Sequence, residues 1–168
     1  WIYVWFRANM YLPKEKEATA MNKNLEKDYE KVAAIKAAYN KAQEAGDEAG
    51  MDQARKDIRA AYNQIEENGE EYARVYRMLE EARERENDLI DINDNIWSKD
   101  VEKLIGALRE NGIKEFTFSS TWSSIVETAW LFTKNGCSLK GMVEINGHCQ
   151  VFMGGEWERK PAFLFTID

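Results

Sequence analysis

Only two cysteines, two prolines and one histidine occur among the 168 residues. Two thiols cannot build a multi-disulfide scaffold, and a single imidazole cannot supply a histidine-rich metal cluster. Pro13 and Pro161 stand outside the long polar stretch between them, as the cost of proline in a helix interior demands. The aromatic run at the start of the chain is cut by Arg7 and Asn9 and falls short of the ~20 apolar residues of a membrane-spanning helix. Positive charge is also scarce. Against 30 Asp+Glu there are 23 Lys+Arg, for a net charge of -7, which counts against a surface built to grip a nucleic-acid backbone. The patterns C-x-x-C, G-x-S-x-G and H-E-x-x-H and the dinucleotide-binding glycines are all missing. Neither covalent nor metal catalysis has a motif to rest on, and no cofactor is expected.

What is present is unevenly placed. Hydrophobic residues make up 44% and charged residues 32%, the balance of a folded protein rather than a disordered tail. Residues 21–90 hold 12 basic and 17 acidic side chains, and their only aromatics are Tyr29, Tyr39, Tyr62, Tyr72 and Tyr76. From 116 to the end there are 4 basic and 5 acidic side chains, with every phenylalanine except Phe6. The chain therefore divides into an aromatic-rich leader or added segment (1–20), a charged helical arm (21–90) and a small α/β domain (91–168). For the first segment, WIYVWFRANMYLP, three readings stay open. It is translated sequence ahead of a natural start at Met21, an element packed on the rest of the protein, or an arm that binds a partner.

In the arm, Leu25, Tyr29, Val32, Ile35, Tyr39 and Ala42 recur at spacings of three and four, one face of a helix. AGDEAG at 45–50 supplies a helix–helix turn. A second series runs Met51, Ala54, Ile58, Ala61, Ile65 and resumes in phase at Tyr72, Val75, Leu79, Ala82. That phase predicts a long second helix weakened at Gly69, and an antiparallel, coiled-coil-like hairpin overall. So small a core needs help from the C-terminal domain, a third helix or a homodimer. Tyr39, Tyr62, Tyr72 and Tyr76 join apolar area to a polar tip, suited either to the helical seam or to a partner surface. Glu66, Glu67, Glu70 and Glu71 form an acidic run that would attract a basic protein channel, alongside the competing reading of a solvated face. A nucleic-acid stripe from Arg55, Lys56, Arg59, Arg74 and Arg77 is the alternative. Asp88, Asp91 and Asp94, three apart, read as turn or cap carboxylates more readily than as cation ligands.

Beyond the junction, Asp100 opens a helix over Val101–Leu108, KEFTF at 114–118 reads as a strand, and Ser119, Ser120 and Thr121 start a second helix. There they cap the helix or hold an anion or small ligand. A strand from about Leu139 to Ile145, a turn at Asn146-Gly147, a strand over His148–Met153 and a last one at 162–167 complete the expectation. Thus α+β is expected: a small mixed β-sheet with helices packed on one face, its first two strands parallel through a crossover. Cys137 and Cys149 fall out of register for a disulfide and read as free buried thiols. His148 reads as a structural or surface residue.

The stretch DINDNIWSKDVEKLIGALRENGIKEFTFSSTWSSIVETAWLFTKNGCSLKGMVEI and the closing KPAFLFTID resemble an uncharacterised family of small Firmicutes proteins found on phage and conjugative elements. The resemblance covers residues 21–168 and is strongest from Asp91. It implies a charged helical front with an α/β end, and brings no catalytic residues. Genes of that kind serve the element as regulators, transfer accessories or inhibitors of host defence. The expectation is a cytoplasmic, non-enzymatic protein-binding module whose partner is a host nucleic-acid-processing or defence protein such as a CRISPR effector nuclease. The alternatives are a direct nucleic-acid-binding accessory protein, and a ligand-binding or hydrolytic domain using Ser119–Thr121. No membrane is expected.

Overall fold

A computed structural model describes residues 23–93, 96–151 and 155–168; the aromatic leader and Asp94 lie outside them. Three helices come first: α1 (Lys23–Ala45), α2 (Glu48–Glu67) and α3 (Glu70–Glu84). Gly46 ends α1 at φ +67, and the Asp47 amide bonds back to Ala42 O at 2.9 Å. A left-handed glycine followed by this reach-back bond closes the last turn of a helix. Asp47 then caps α2, its side chain accepting from the Gly50 amide at 3.0 Å. The Lys31–Gln64 bond of 2.8 Å and the Arg55–Tyr39 bond of 3.2 Å set the two helices antiparallel.

The expected long second helix does not form. Gly69 sits at φ +109, which no helix accommodates, and the chain folds back on itself there. The Tyr62 and Tyr76 rings then meet edge to face, their centroids 6.1 Å apart, across the turn. Tyr72 bonds Asp28 at 2.7 Å and Lys36 bonds Glu80 at 3.0 Å, so α3 runs in the same direction as α1. The second apolar series keeps its phase because both halves face one core. This third helix supplies the help that two helices alone needed.

The sheet comprises β1 (Asp91–Ile92), β2 (Glu115–Phe118), β3 (Cys137–Gln150) and β4 (Trp157–Ile167), in the order β1-β2-β4-β3. β1 and β2 are parallel, while β4 is antiparallel to both β2 and β3. The strands flanking the second helix are therefore parallel near-neighbours with β4 between them. Helices α4 (Val101–Glu110) and α5 (Ile125–Lys134) pack alongside the sheet, giving the expected α+β class.

Three local expectations are overturned. Asn146-Gly147 is not a turn: β3 continues past it, with Asn146 opposite Arg159 and a register irregularity between Asn146 and Gln150, and the reversal comes after Gln150. Residues 137–150 pair with Trp157–Ile167 from Cys137 to Gln150 with two irregularities, and that ladder outweighs the local turn preference. The last strand starts at Trp157 rather than at 162, so Pro161, expected at its edge, lies inside β4, opposite Glu144. Cys149 is exposed, whereas Cys137 is buried, and both are free.

One apolar cluster runs from Leu25 and Val32 through Tyr76 and Leu79 to Phe116 and Phe165. Its densest part surrounds Phe132, whose ring lies 5.2 Å from Phe116, 5.0 Å from Phe118 and 5.3 Å from Phe165. Edge-to-face contacts of this kind add to the stabilisation from burial. Phe132→Ala is expected to destabilise the fold by about 3–5 kcal/mol, measured by urea unfolding. A loss below about 1 kcal/mol would show that Phe132 is not the centre of the core.

Candidate functional site

The α2–α3 reversal brings the start of α1 and the end of α4 around one open cleft of about 550 Å³. Asn24, Asn68, Glu70, Glu71, Glu110 and Asn111 supply its polar lining. Glu66 and Glu67, in the last turn of α2, are exposed immediately before it. Five glutamates thus gather at one end of the molecule, and a cation flanks them at Arg74, 3.9 Å from Glu71, whereas Arg109 turns to the carbonyls of Asn135 and Asp168. Glu70 and Glu71 occupy the first turn of α3, whose Gly69 cap offers no side-chain acceptor. Negative charge there offsets the exposed amides of the helix N-terminus. These two residues therefore have a structural task as well as an outward one. Glu110 and Asn111 escaped the sequence reading, because their approach to Glu70 depends on the fold-back at Gly69.

Of the tyrosines, most turn inward. Tyr76 is fully buried. Tyr62 donates to Glu80 at 2.7 Å, as Tyr76 does at 3.5 Å, and the Lys36 ammonium approaches the same carboxylate at 3.0 Å. Burial and the neighbouring carboxylates raise the hydroxyls of Tyr62, Tyr72 and Tyr76 above their ordinary range. Burial pulls the Lys36 ammonium down, but hydrogen bonds to Glu80 and Glu84 outweigh it and leave it raised. These residues bind the three helices together. Tyr39 differs: half-buried like Tyr62 and Tyr72, it is not packed on the core cluster as they are, and the Arg55 guanidinium lies 5.5 Å from its ring centre. Of the basic stripe, Arg55 pairs with Asp52 at 2.9 Å and Arg74 with Glu71, so carboxylates temper it.

Ser119, Ser120 and Thr121 do not open a helix. α5 begins at Ile125, and Ser124 holds the cap position without a side-chain bond. Ser119 is buried, and its hydroxyl donates to Asp91 at 2.6 Å. Thr117 donates to the other oxygen of that carboxylate at 3.0 Å, and Lys160 lies 3.6 Å away. Ser120 accepts from the Trp122 amide at 3.1 Å, while Thr121 is exposed. The strand pairing Asp91↔Thr117 puts both side chains on the face opposite the phenylalanine layer. A lone Asp between Ile90 and Ile92 was the available signal for a buried, paired carboxylate. Asp88 is exposed and apart from it, and no group of three metal-ligating side chains occurs among the described residues. His148 is exposed, its Nε2 3.4 Å from both Arg85 and Asn93. Burial pushes the Cys137 thiol up to about 11, away from a reactive thiolate.

Burial raises the Asp91 carboxyl above the usual carboxylate range, while Ser119, Lys160 and Thr117 draw it part of the way back. A carboxyl raised in the folded state binds its proton more tightly there than in the unfolded chain. Its stabilising contribution is therefore full below the ordinary carboxylate pKa and is lost as pH rises through the folded value. Wild type is expected to lose stability relative to Asp91→Asn as pH climbs from the ordinary aspartate range upward. Urea midpoints of the two proteins across that window check it; a difference that moves the other way rules it out.

Among the described residues, no helix is long and apolar enough to cross a membrane. Neither a curated protein nor a solved structure matches the chain. A family described as a domain of unknown function, DUF7698, matches residues 74–167, from the first turns of α3 to the end of β4. That stretch is more than half of the sequence, so the protein belongs to the DUF7698 family.

Proposed function

We propose that the protein is a protein-binding module whose acidic end receives a basic surface of its partner. The observation that carries this reading is the gathering of Glu70, Glu71 and Glu110 on the open cleft where α2, α3 and α4 meet, with Glu66 and Glu67 exposed just before it in the last turn of α2. Charge of one sign at a concave surface focuses the field and speeds encounter with an oppositely charged partner. The net charge of -7 adds to that field. The inward-facing Tyr62, Tyr72 and Tyr76 move the proposed surface from the tyrosine seam to the glutamate end, and Tyr39, beside Arg55 near the start of α2, lies away from it. The resemblance to proteins of mobile elements supports a partner among host nucleic-acid-processing or defence proteins, whose substrate channels are basic; a CRISPR effector nuclease is one such protein. A cytoplasmic location follows from that partner class.

Glu66, Glu67 and Glu110 each stand in the last turn of a helix, where lysine suits the exposed carbonyls better than glutamate does. The triple variant Glu66→Lys, Glu67→Lys, Glu110→Lys should therefore fold at least as well as wild type. Its affinity for a nucleic-acid-processing protein captured from host lysate should fall about tenfold or more, and wild-type binding should weaken with added salt. Unchanged, salt-independent binding by the triple variant would remove the acidic end from the interface.

A further inference from the structure

Asparagine followed by glycine is a chemically labile pair, because the glycine has no Cβ to hinder attack by its amide on the asparagine side chain. The chain holds four such pairs: Asn68-Gly69, Asn111-Gly112, Asn135-Gly136 and Asn146-Gly147. The fold restrains three of them. Asn111 is buried, and its side-chain amide donates to Ala107 O at 2.9 Å. Asn135 donates likewise to Leu131 O at 2.9 Å. Asn146 donates to Arg85 O at 2.6 Å and accepts from the Arg159 guanidinium at 2.8 Å, with its backbone held in β3. In each case the nitrogen that must leave is tied to a carbonyl. Two of the glycines are also crowded. Arg109 Nη2 stands 3.1 Å from where a Cβ would lie on Gly136, and Glu158 O 3.2 Å from the same point on Gly147.

Asn68 differs on both counts. It is exposed at the α2–α3 reversal, on the lining of the cleft, and its side chain forms no hydrogen bond among the described residues. Nothing lies within 4 Å of the place a Cβ would take on Gly69. The Asn68 side-chain carbon can therefore turn toward the Gly69 nitrogen without breaking a side-chain bond. One restraint is left, the bond from the Gly69 amide to Glu66 O at 3.0 Å. Gly112 and Gly136 make equivalent bonds to Arg109 O at 3.0 Å and Thr133 O at 3.3 Å, so this restraint does not separate the helix ends. The carboxylates of Glu66, Glu67, Glu70, Glu71 and Glu110 at this end oppose deprotonation of the Gly69 nitrogen and slow the reaction near neutral pH.

We infer that Asn68 is a site of spontaneous modification to aspartate and isoaspartate, which adds a negative charge to the lining of the acidic cleft. The deprotonated Gly69 nitrogen attacks Asn68 Cγ. An N–Cγ bond forms and the Cγ–Nδ2 bond breaks, Nδ2 leaving as ammonia with, in net, the proton that Gly69 gave up. Water then opens the cyclic imide at either carbonyl. One opening gives aspartate, and the other gives isoaspartate, whose main chain runs through the former side-chain carbon. The chemistry needs no partner and stands apart from the binding reading above. The test incubates the folded full chain at mildly alkaline pH and follows its tryptic fragments by mass spectrometry. Fragment Ala60–Arg74 should gain the mass difference between water and ammonia about tenfold faster, or more, than the fragments carrying the other three pairs. Asn68→Gln closes a larger ring more slowly and should abolish that gain. In the urea-unfolded chain all four pairs should convert at comparable rates, since the fold sets the difference. No gain in the folded chain, an equal gain at another pair, a gain that persists in Asn68→Gln, or an undiminished lead for Asn68 in urea would each overturn the assignment.

Discussion

Asn68 and Gly69 separate two helices whose apolar stripes share one phase, and the backbone at Gly69 decides what that phase means. With φ at +109 the chain cannot continue as a helix, so α3 returns along α2 instead of extending it. Much else depends on that reversal. It closes a three-helix unit around Tyr62, Tyr76 and Glu80. It carries α3 into contact with α4 and β1, joining arm and sheet in one apolar cluster. It also brings Glu70 and Glu71 beside Glu110. A glycine tolerates this conformation because it has no Cβ to clash.

One half-buried and one buried polar grouping show how the apolar core accommodates charge. Glu80 is approached by two tyrosine hydroxyls and the Lys36 ammonium, and Asp91 by two hydroxyls and the Lys160 ammonium. Each carboxylate exchanges water for several donors, the condition under which a buried charge is tolerated. The first grouping fixes the packing of three helices. The second ties β1 to β2 and β4 on the face away from the phenylalanines. Tyr62, Tyr72 and Ser119, which have the residue types of a binding surface, are used inside the molecule instead. Exposed side chains at the acidic end and along β3 remain available for other molecules.

Periodicity made the helices legible because a helix writes its buried face at spacings of three and four. Leu25, Val32, Ala61, Ile65, Val75 and Leu79 are all buried where that spacing put them. The Asn146-Gly147 dipeptide misled, since its turn preference is local and weak beside eleven residues of β4 available for pairing. Ser119 misled in the same way: its hydroxyl suits a helix cap, but an unsatisfied buried carboxylate nearby is the stronger claim. The acidic end was half legible. Glu66, Glu67, Glu70 and Glu71 are adjacent in sequence, whereas Glu110 reaches them only through the fold.

By itself the sequence determined the helical arm, the α+β class, the free thiols and the acidic excess. Each follows from residue type and local spacing, which act over a few positions of chain. Tertiary structure alone decided that the arm has three helices, that β4 lies between β2 and β3, and that most tyrosines face inward. Those outcomes depend on competition between partners distant in sequence, where burial and pairing outweigh local preference.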